Sequence, residues 1–219
     1  MLNKSSGNMY EFVTHTWNTI KGECPHGCSY CYMKKWGKQP SLHFDNKEIK
    51  TDLGTGNYIF VGSSCDMFAD DIPIEWIMST LMICERYNNE YFFQSKNPKR
   101  FSLINAVPLN YSLCTTIETN RWYADIMNNC SKPVDRAVQL KNVPTSAKRY
   151  VTIEPIMDFD LNTMIDLIKF INPSQVNIGA DTGRNGLPEP SKQKLNWLIG
   201  ALSGFTTVHE KANLVRLLK

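Results

Sequence analysis

Short strand-like runs alternate with helical stretches along almost the whole chain, and this alternation limits the folds that the sequence can adopt. Helical spacing follows Pro73 at residues 74–87 and Asp160 at residues 161–171. Strand–helix alternation favours a parallel sheet with right-handed crossovers. We predict one domain over residues 1–219 with an α/β fold, a partial (β/α)6 barrel of parallel strands, closed by helices at 191–202 and 210–218. The predicted strands, rich in β-branched, aromatic or other apolar residues, are 11–20, 58–62, 91–94, 112–117, 149–153 and 175–178.

Composition narrows the class of protein. The chain has 219 residues, of which 42% are hydrophobic, and a net charge of +3 that is too mild to indicate nucleic-acid binding by itself. No apolar run reaches the length of a membrane span, and the first ten residues lack the apolar core of a signal peptide. We therefore expect a cytoplasmic protein without a membrane partner. The odd number of cysteines, seven, fits a metal or cluster site better than a disulfide framework.

Polar side chains follow the apolar part of five predicted strands. In parallel α/β folds, ligands bind at the carboxyl ends of the strands, so these residues are expected to border one pocket. They are Gly62 to Asp66, Gln94 to Lys96, Thr116 with Glu118, Glu154, and Gly179 with Asp181.

Three cysteines crowd into the loop after the first predicted strand, with the spacing Cys24-x3-Cys28-x2-Cys31. Three thiolates on one loop can hold three irons of a cubane cluster and leave the fourth iron open to a small chelating molecule. A structural zinc ion is the alternative, but zinc usually takes four closed ligands in two separated pairs. The sequence has no second Cys-x2-Cys pair, although His26 or His15 could supply a fourth ligand.

This motif, with Tyr30 before its third cysteine, resembles the signature of the radical S-adenosylmethionine (radical SAM) superfamily, whose partial six-unit barrel matches the predicted fold. The stretch from Cys24 to Tyr32, the run at 115–121 and Ile-Glu-Pro at 153–155 resemble a group of small, mostly uncharacterised phage and bacterial proteins. The cysteine motif is also similar to that of spore photoproduct lyases, which repair DNA.

The resemblance implies a 4Fe–4S cluster on Cys24, Cys28 and Cys31 that cleaves S-adenosylmethionine (AdoMet) reductively. The resulting 5′-deoxyadenosyl radical would act on a second substrate, a small molecule, a nucleotide or a nucleic acid. A flavodoxin or ferredoxin would supply the electron. The residues expected at the adenosyl ligand are Tyr30, Ser64, Asp66, Thr116, Glu118 and Glu154.

A further set of charged residues is assigned to the second substrate. Lys96 and Arg100, after the third predicted strand, could pair with Glu154 or hold an anionic substrate. Asp181 and Arg184 lie in a glycine-rich loop after the sixth strand, which could cradle the substrate or form a plain turn. The Lys34–Lys35 pair is expected to be a solvated helix face. The competing function is a non-catalytic module that holds zinc or a cluster and binds a protein or nucleic acid.

Overall fold

The computed structural model describes residues 1–219, and its main feature is an eight-stranded sheet. All neighbouring strands in it are parallel except β1, which pairs antiparallel with β2 at one edge. The strands, in the order in which they neighbour one another, are β1 (Asn3–Lys4), β2 (His15–Trp17), β5 (Tyr58–Val61), β6 (Glu90–Gln94), β7 (Asn110–Thr116), β8 (Lys148–Ile153), β9 (Gln175–Ile178) and β10 (Thr207–Glu210). Two further strands, β3 (Ile20–Lys21) and β4 (His43–Phe44), form a separate antiparallel pair.

Helices connect the parallel strands and pack on one face of the sheet. They are α1 (Ile74–Glu85), α2 (Ala124–Met127), α3 (Pro133–Asn142), α4 (Leu161–Ile171), α5 (Lys192–Ser203) and α6 (Val215–Leu218), with 3-10 helices at Tyr32–Trp36, Glu48–Lys50, Pro98–Ala106 and Ala212–Leu214. The predicted α/β class with parallel strands is confirmed. No helix combines the length and the apolar character needed to cross a bilayer.

Side-chain alternation along the strands separates two apolar layers. Val151 and Ile153 of β8 face the helices and belong to the main core, as the sequence predicts. Tyr150 of the same strand faces the other way, into a smaller aromatic cluster with Phe60 and Phe92. The polar groups at the strand ends therefore continue the second face, away from the helices.

The chain before β2 covers that second face. Tyr10 is buried among the aromatic residues of the cluster, with its ring 5.0 Å from that of Phe92 and 5.4 Å from that of Phe12. Its hydroxyl donates a hydrogen bond to Gln94 Oε1 at 2.7 Å. Only residues 15–17 of the predicted strand 11–20 pair in the large sheet, because the segment before them crosses the sheet instead.

The carboxyl end of the chain differs from the prediction. Residues 207–210 form β10, which extends the sheet beyond β9, so the predicted helix at 210–218 is wrong at its start. Helical structure begins only at Ala212. The prediction of α5 is confirmed to within one residue, and Ser191 caps it by accepting a hydrogen bond from the Lys194 amide.

Candidate active site

A cavity of about 490 Å³ lies at the carboxyl ends of the strands. The cysteine loop, the strand ends and the amino-terminal segment all contribute to its wall. Predicted site residues that line it are Cys24, Cys28, Tyr30, Cys31, Ser64, Asp66, Lys96, Thr116, Glu154 and Asp181. The strand-end pattern thus brings residues from distant parts of the chain to one cavity.

The cysteine loop is held by backbone hydrogen bonds to the chain near α2. The Ser29 amide donates to Ile126 O at 2.9 Å, and the Asn129 amide donates to His26 O at 3.1 Å. Gly27 has a φ of +63°, a conformation that glycine adopts without the strain that a Cβ would bring. The loop can therefore turn back between Cys24 and Cys28 and present both side chains to the cavity.

A buried ion pair fixes the loop to the ends of β5 and β6. His26 Nε2 donates to Asp66 Oδ2 at 2.7 Å, and Asp66 also accepts from the Ser95 hydroxyl and the Lys96 amide. Burial opposes protonation of the ring, but the charge of Asp66 and its hydrogen bond raise the pKa of His26 to about 9. His26 Nε2 is thereby engaged by a carboxylate, which counts against its use as a fourth zinc ligand.

The three motif thiols differ in their surroundings. A hydrogen bond with Cys130, whose Sγ lies 3.3 Å away, and the charge of Lys96 lower the pKa of Cys28, although burial acts in the opposite direction. A hydrogen bond with Cys65 likewise lowers the pKa of Cys24 against the effect of burial. Burial raises the pKa of Cys31. Two of the three sulfurs are thus biased toward the thiolate, the form that binds metal.

Glu118 lies beneath the cavity wall rather than on it. Its carboxylate is fully buried, forms an ion pair with Arg136 at 2.9 Å and accepts a hydrogen bond from the Tyr30 hydroxyl. Lys96 Nζ is 3.9 Å from the same carboxylate and 5.4 Å from the centre of the Tyr30 ring. Burial opposes ionisation, but Arg136 and Lys96 hold the pKa of Glu118 below its usual value. Direct contact between Glu118 and an adenosyl ligand stays a prediction.

Glu154, another residue of the cavity wall, is paired with a lysine. Lys211 Nζ lies 2.6 Å from its Oε2, while the side-chain amides of Asn8 and Asn213 donate to its Oε1 at 2.6 and 2.8 Å. The partner is therefore Lys211, not Lys96 or Arg100. A Cβ on Gly179 would come within 2.6 Å of Glu154 Oε1, so the absence of a side chain there leaves room for the carboxylate.

Of the remaining predicted residues, three line the cavity and two do not. Thr116 accepts a hydrogen bond from the Gln94 side chain at 3.1 Å, and the Ser64 amide is bound by Asn18. Asp181 binds groups of its own loop, including the Asn185 side chain at 2.7 Å. Two arginines do not line the cavity: Arg100 donates to the carbonyls of Ala69 and Ile72, and Arg184 is an exposed loop residue with a φ of +51°.

Sequence reasoning missed several residues of the cavity wall, among them Lys211 and the amino-terminal residues 6–10. Lys211 is buried, and its ammonium lies 4.7 Å from the centre of the Tyr10 ring. Lys211 follows β10, so the strand-end rule would have identified it if that strand had been predicted. Tyr10 had no such signal, because its place in the wall depends on the path of the amino-terminal segment across the sheet.

The donor set fits an iron–sulfur cluster in its chemistry. Three thiols without disulfide partners line one cavity, and soft sulfur ligands select such clusters or zinc. No three metal-binding side chains converge on a common point in the structure. Cys24, Cys28 and Cys31 are the residues that would hold a cluster at this wall.

Comparison with solved structures places the fold. A double mutant of spore photoproduct lyase with bound AdoMet and dinucleoside spore photoproduct is similar, with a TM-score of 0.59 and 9% identity over 93% of this chain and 78% of that chain. A single mutant of the lyase has a TM-score of 0.58 and 9% identity over the same shares. At this level of identity, the likeness shows that this chain shares the overall fold of spore photoproduct lyase.

Comparison of sequences gives the family. No curated protein matches the chain. One family model, described as a protein of unknown function, matches residues 8–208, which is nearly the whole length. The chain therefore belongs to the DUF5131 family.

Proposed function

We propose that this protein is a radical SAM enzyme. The observation that carries the proposal is the position of Cys24, Cys28 and Cys31 on one wall of a strand-end cavity, in a fold similar to that of spore photoproduct lyase. A 4Fe–4S cluster bound by these cysteines would supply the electron that splits AdoMet into methionine and a 5′-deoxyadenosyl radical. The protein would then position and shield the reacting groups.

The wall residues have separate roles in this proposal. Ser64, Thr116 and the Tyr30 face border the space for AdoMet, and Lys96 offers a cation beside it. Asp66 holds His26, and with it the cysteine loop, in place. It does not contact AdoMet in this proposal, because its carboxylate is already bound by donors from that loop and from the end of β6. Glu154 and Asp181, which also line the cavity, serve AdoMet or the second substrate.

A nucleotide or nucleic-acid component is the proposed second substrate. The similar lyase structures hold a dinucleoside spore photoproduct, and Lys96 and Lys211 of this chain line its cavity, each beside a carboxylate. A flavodoxin or ferredoxin is the proposed electron donor. Seven free thiols suit a reducing compartment, so we assign the reaction to the cytoplasm.

Anaerobic reconstitution tests the function. Protein loaded with iron and sulfide should be brown, carry about four irons per chain, as expected for a cubane cluster, and release 5′-deoxyadenosine from AdoMet under a strong reductant. The matched control is Cys84→Ala, a buried thiol in α1 that should change neither result. Colourless protein with one tightly held zinc would favour a binding module, and AdoMet binding without release of the nucleoside under any donor would remove the enzyme assignment.

A further inference from the structure

The segment that follows Cys31 exposes two large aromatic rings. None of the five residues of the 3-10 helix Tyr32–Trp36 is buried. Trp36 is 69% exposed and Tyr32 is 49% exposed, although aromatic side chains of this size normally bury most of their area. Two large aromatic rings exposed within one short segment indicate a surface that binds a ligand or partner.

The same segment carries unneutralised positive charge. Lys34, Lys35 and Lys38 are exposed, and none of them forms a salt bridge. The sequence contains no acidic residue between Glu23 and Asp45. The expectation of a plain solvated face for the Lys34–Lys35 pair is therefore incomplete, because aromatic rings share this surface with the lysines. We name Tyr32, Lys34, Lys35, Trp36 and Lys38 the platform.

The platform combines charge and ring faces within one turn. Lys35 Nζ lies 5.1 Å from the Trp36 ring centre and 5.9 Å from that of Tyr32. These cation–π contacts hold the ammonium beside the rings. A ligand that stacked on either ring would meet the lysine at the same time.

The platform begins at the cavity and leads away from it. Tyr32 and Lys35 line the cavity, whereas Trp36 and Lys38 do not. The Tyr32 hydroxyl donates to Ser63 O at 2.8 Å, which fixes this end of the platform to the residues after β5. A linear ligand lying on the platform would therefore have one part at the cavity mouth and the rest on the outer surface.

We propose that the platform binds a single-stranded nucleic acid, so that the substrate is a base carried within a polynucleotide rather than a free nucleotide. This inference rests on the proposed function. Aromatic faces for stacking beside lysines for phosphates are the combination that binds single strands without sequence preference. Tyr and Trp are enriched in the contact surfaces of protein partners but lysine is depleted there, so the three lysines favour a polyanion over a protein. A base beside the platform would enter the cavity unstacked from its neighbours, as enzymes acting on bases require.

Binding of a labelled oligothymidylate to the reconstituted protein tests the platform. Fluorescence anisotropy at several salt concentrations would compare the wild type with a triple Lys34→Gln, Lys35→Gln, Lys38→Gln variant. Each phosphate contact on a single strand contributes about 0.7 to the slope of log affinity against log salt, so the triple variant should lose about 2 from that slope. Trp36→Ala should weaken binding about 5- to 150-fold, the range for loss of one stacked base.

Matched controls use the other end of the sheet. Lys141, Lys148 and Lys169 are exposed lysines near the amino ends of the strands, and Trp197 on α5 is 56% exposed. The triple Lys141→Gln, Lys148→Gln, Lys169→Gln variant and Trp197→Ala should bind the oligonucleotide as the wild type does. Thymidine 5′-monophosphate should compete at least tenfold more weakly than the oligonucleotide.

Several outcomes would overturn the platform proposal. They are failure of the wild type to bind the oligonucleotide, equal binding by the platform variants and the wild type, and equal competition by the mononucleotide. Unchanged oligonucleotide binding, with 5′-deoxyadenosine formation slowed only when flavodoxin is the donor, would assign the platform to an electron-transfer protein instead. The binding assay does not depend on AdoMet cleavage. Intact oligonucleotide binding without any 5′-deoxyadenosine formation would therefore contradict the proposed function but not the binding role of the platform.

Discussion

Single-residue variants should distinguish the cysteines that would hold iron from those that only lie nearby. Cys24→Ala, Cys28→Ala and Cys31→Ala should each abolish stable iron binding, because one iron would lose its protein ligand. Cys65→Ala and Cys130→Ala should leave iron content nearly unchanged, although each removes a neighbour of a motif thiol. Iron and sulfide analysis after anaerobic reconstitution measures both effects, and full iron content in Cys28→Ala would contradict the assignment.

The buried pair of Glu118 and Arg136 gives a stability prediction. Both side chains are fully buried, so Glu118→Gln would leave the Arg136 guanidinium without its counter-charge. We expect the free energy of unfolding to fall by about 3–5 kcal/mol, the usual cost of breaking a buried pair. Urea denaturation measures this loss of stability. The double variant Glu118→Gln, Arg136→Met should lose less free energy of unfolding than the sum of the losses in the two single variants. A loss below about 1 kcal/mol would be typical of a hydrated pair and would contradict this account.

The contact between Glu118 and Arg136 could not be predicted from the sequence. The cysteine spacing and the polar strand ends are local patterns, and the positions that they single out, such as Cys28 and Glu154, line the cavity. The orientation of the Glu118 carboxylate depends on Arg136, a residue of another element, and on the path of the chain through α2. Packing across elements decides such contacts, and no spacing in the sequence encodes them.

The amino-terminal segment is the element with the clearest structural role. Tyr10 closes the aromatic face of the sheet, so Tyr10→Ala should lower the free energy of unfolding by about 3–5 kcal/mol, the range for removing a buried aromatic ring. Tyr10→Phe removes only the hydrogen bond to Gln94 and should cost about 1 kcal/mol. Denaturant unfolding of the two variants compares the contributions of the Tyr10 ring and hydroxyl to stability. Equal losses of free energy of unfolding would contradict the packing role of the ring.

Elements with strong periodicity were predictable, and short elements were not. α4 was predicted with its observed bounds because Met164 and Ile168 recur on one buried face. β10 was missed because its four residues lie just before leucines at helical spacing and have only partial burial. It forms because β9 offers a free edge, which is a property of the assembled sheet.

The whole molecule should respond to AdoMet only when the cluster is present. Ligand at about 100 times its Kd stabilises a protein by about 2.7 kcal/mol. For a chain of this size that corresponds to a rise in Tm of roughly 5–11 °C. Differential scanning fluorimetry of reconstituted and iron-free protein would measure the difference, and an equal rise in both would mean that AdoMet binds without the open iron.

The overall fold class was within reach of the sequence because alternation of strands and helices leaves few arrangements. The cavity could be placed at the strand ends for the same reason. The number of strands and the covering of the second face could not be derived, since both depend on the two ends of the chain. Residues 5–14 and β10 pack against an already formed sheet, and their own sequences carry little periodic signal.

The two outer strands of the large sheet bear on how the protein behaves at high concentration. β1 has two residues, both exposed, and β10 has four, ending in His209 and Glu210. An unpaired strand edge recruits further chains through its free amide and carbonyl groups, and shortness and charge both limit this recruitment. Each edge here offers only a few such groups beside ionisable side chains. Concentrated solutions should therefore resist the edge-to-edge polymerisation that long, apolar outer strands promote.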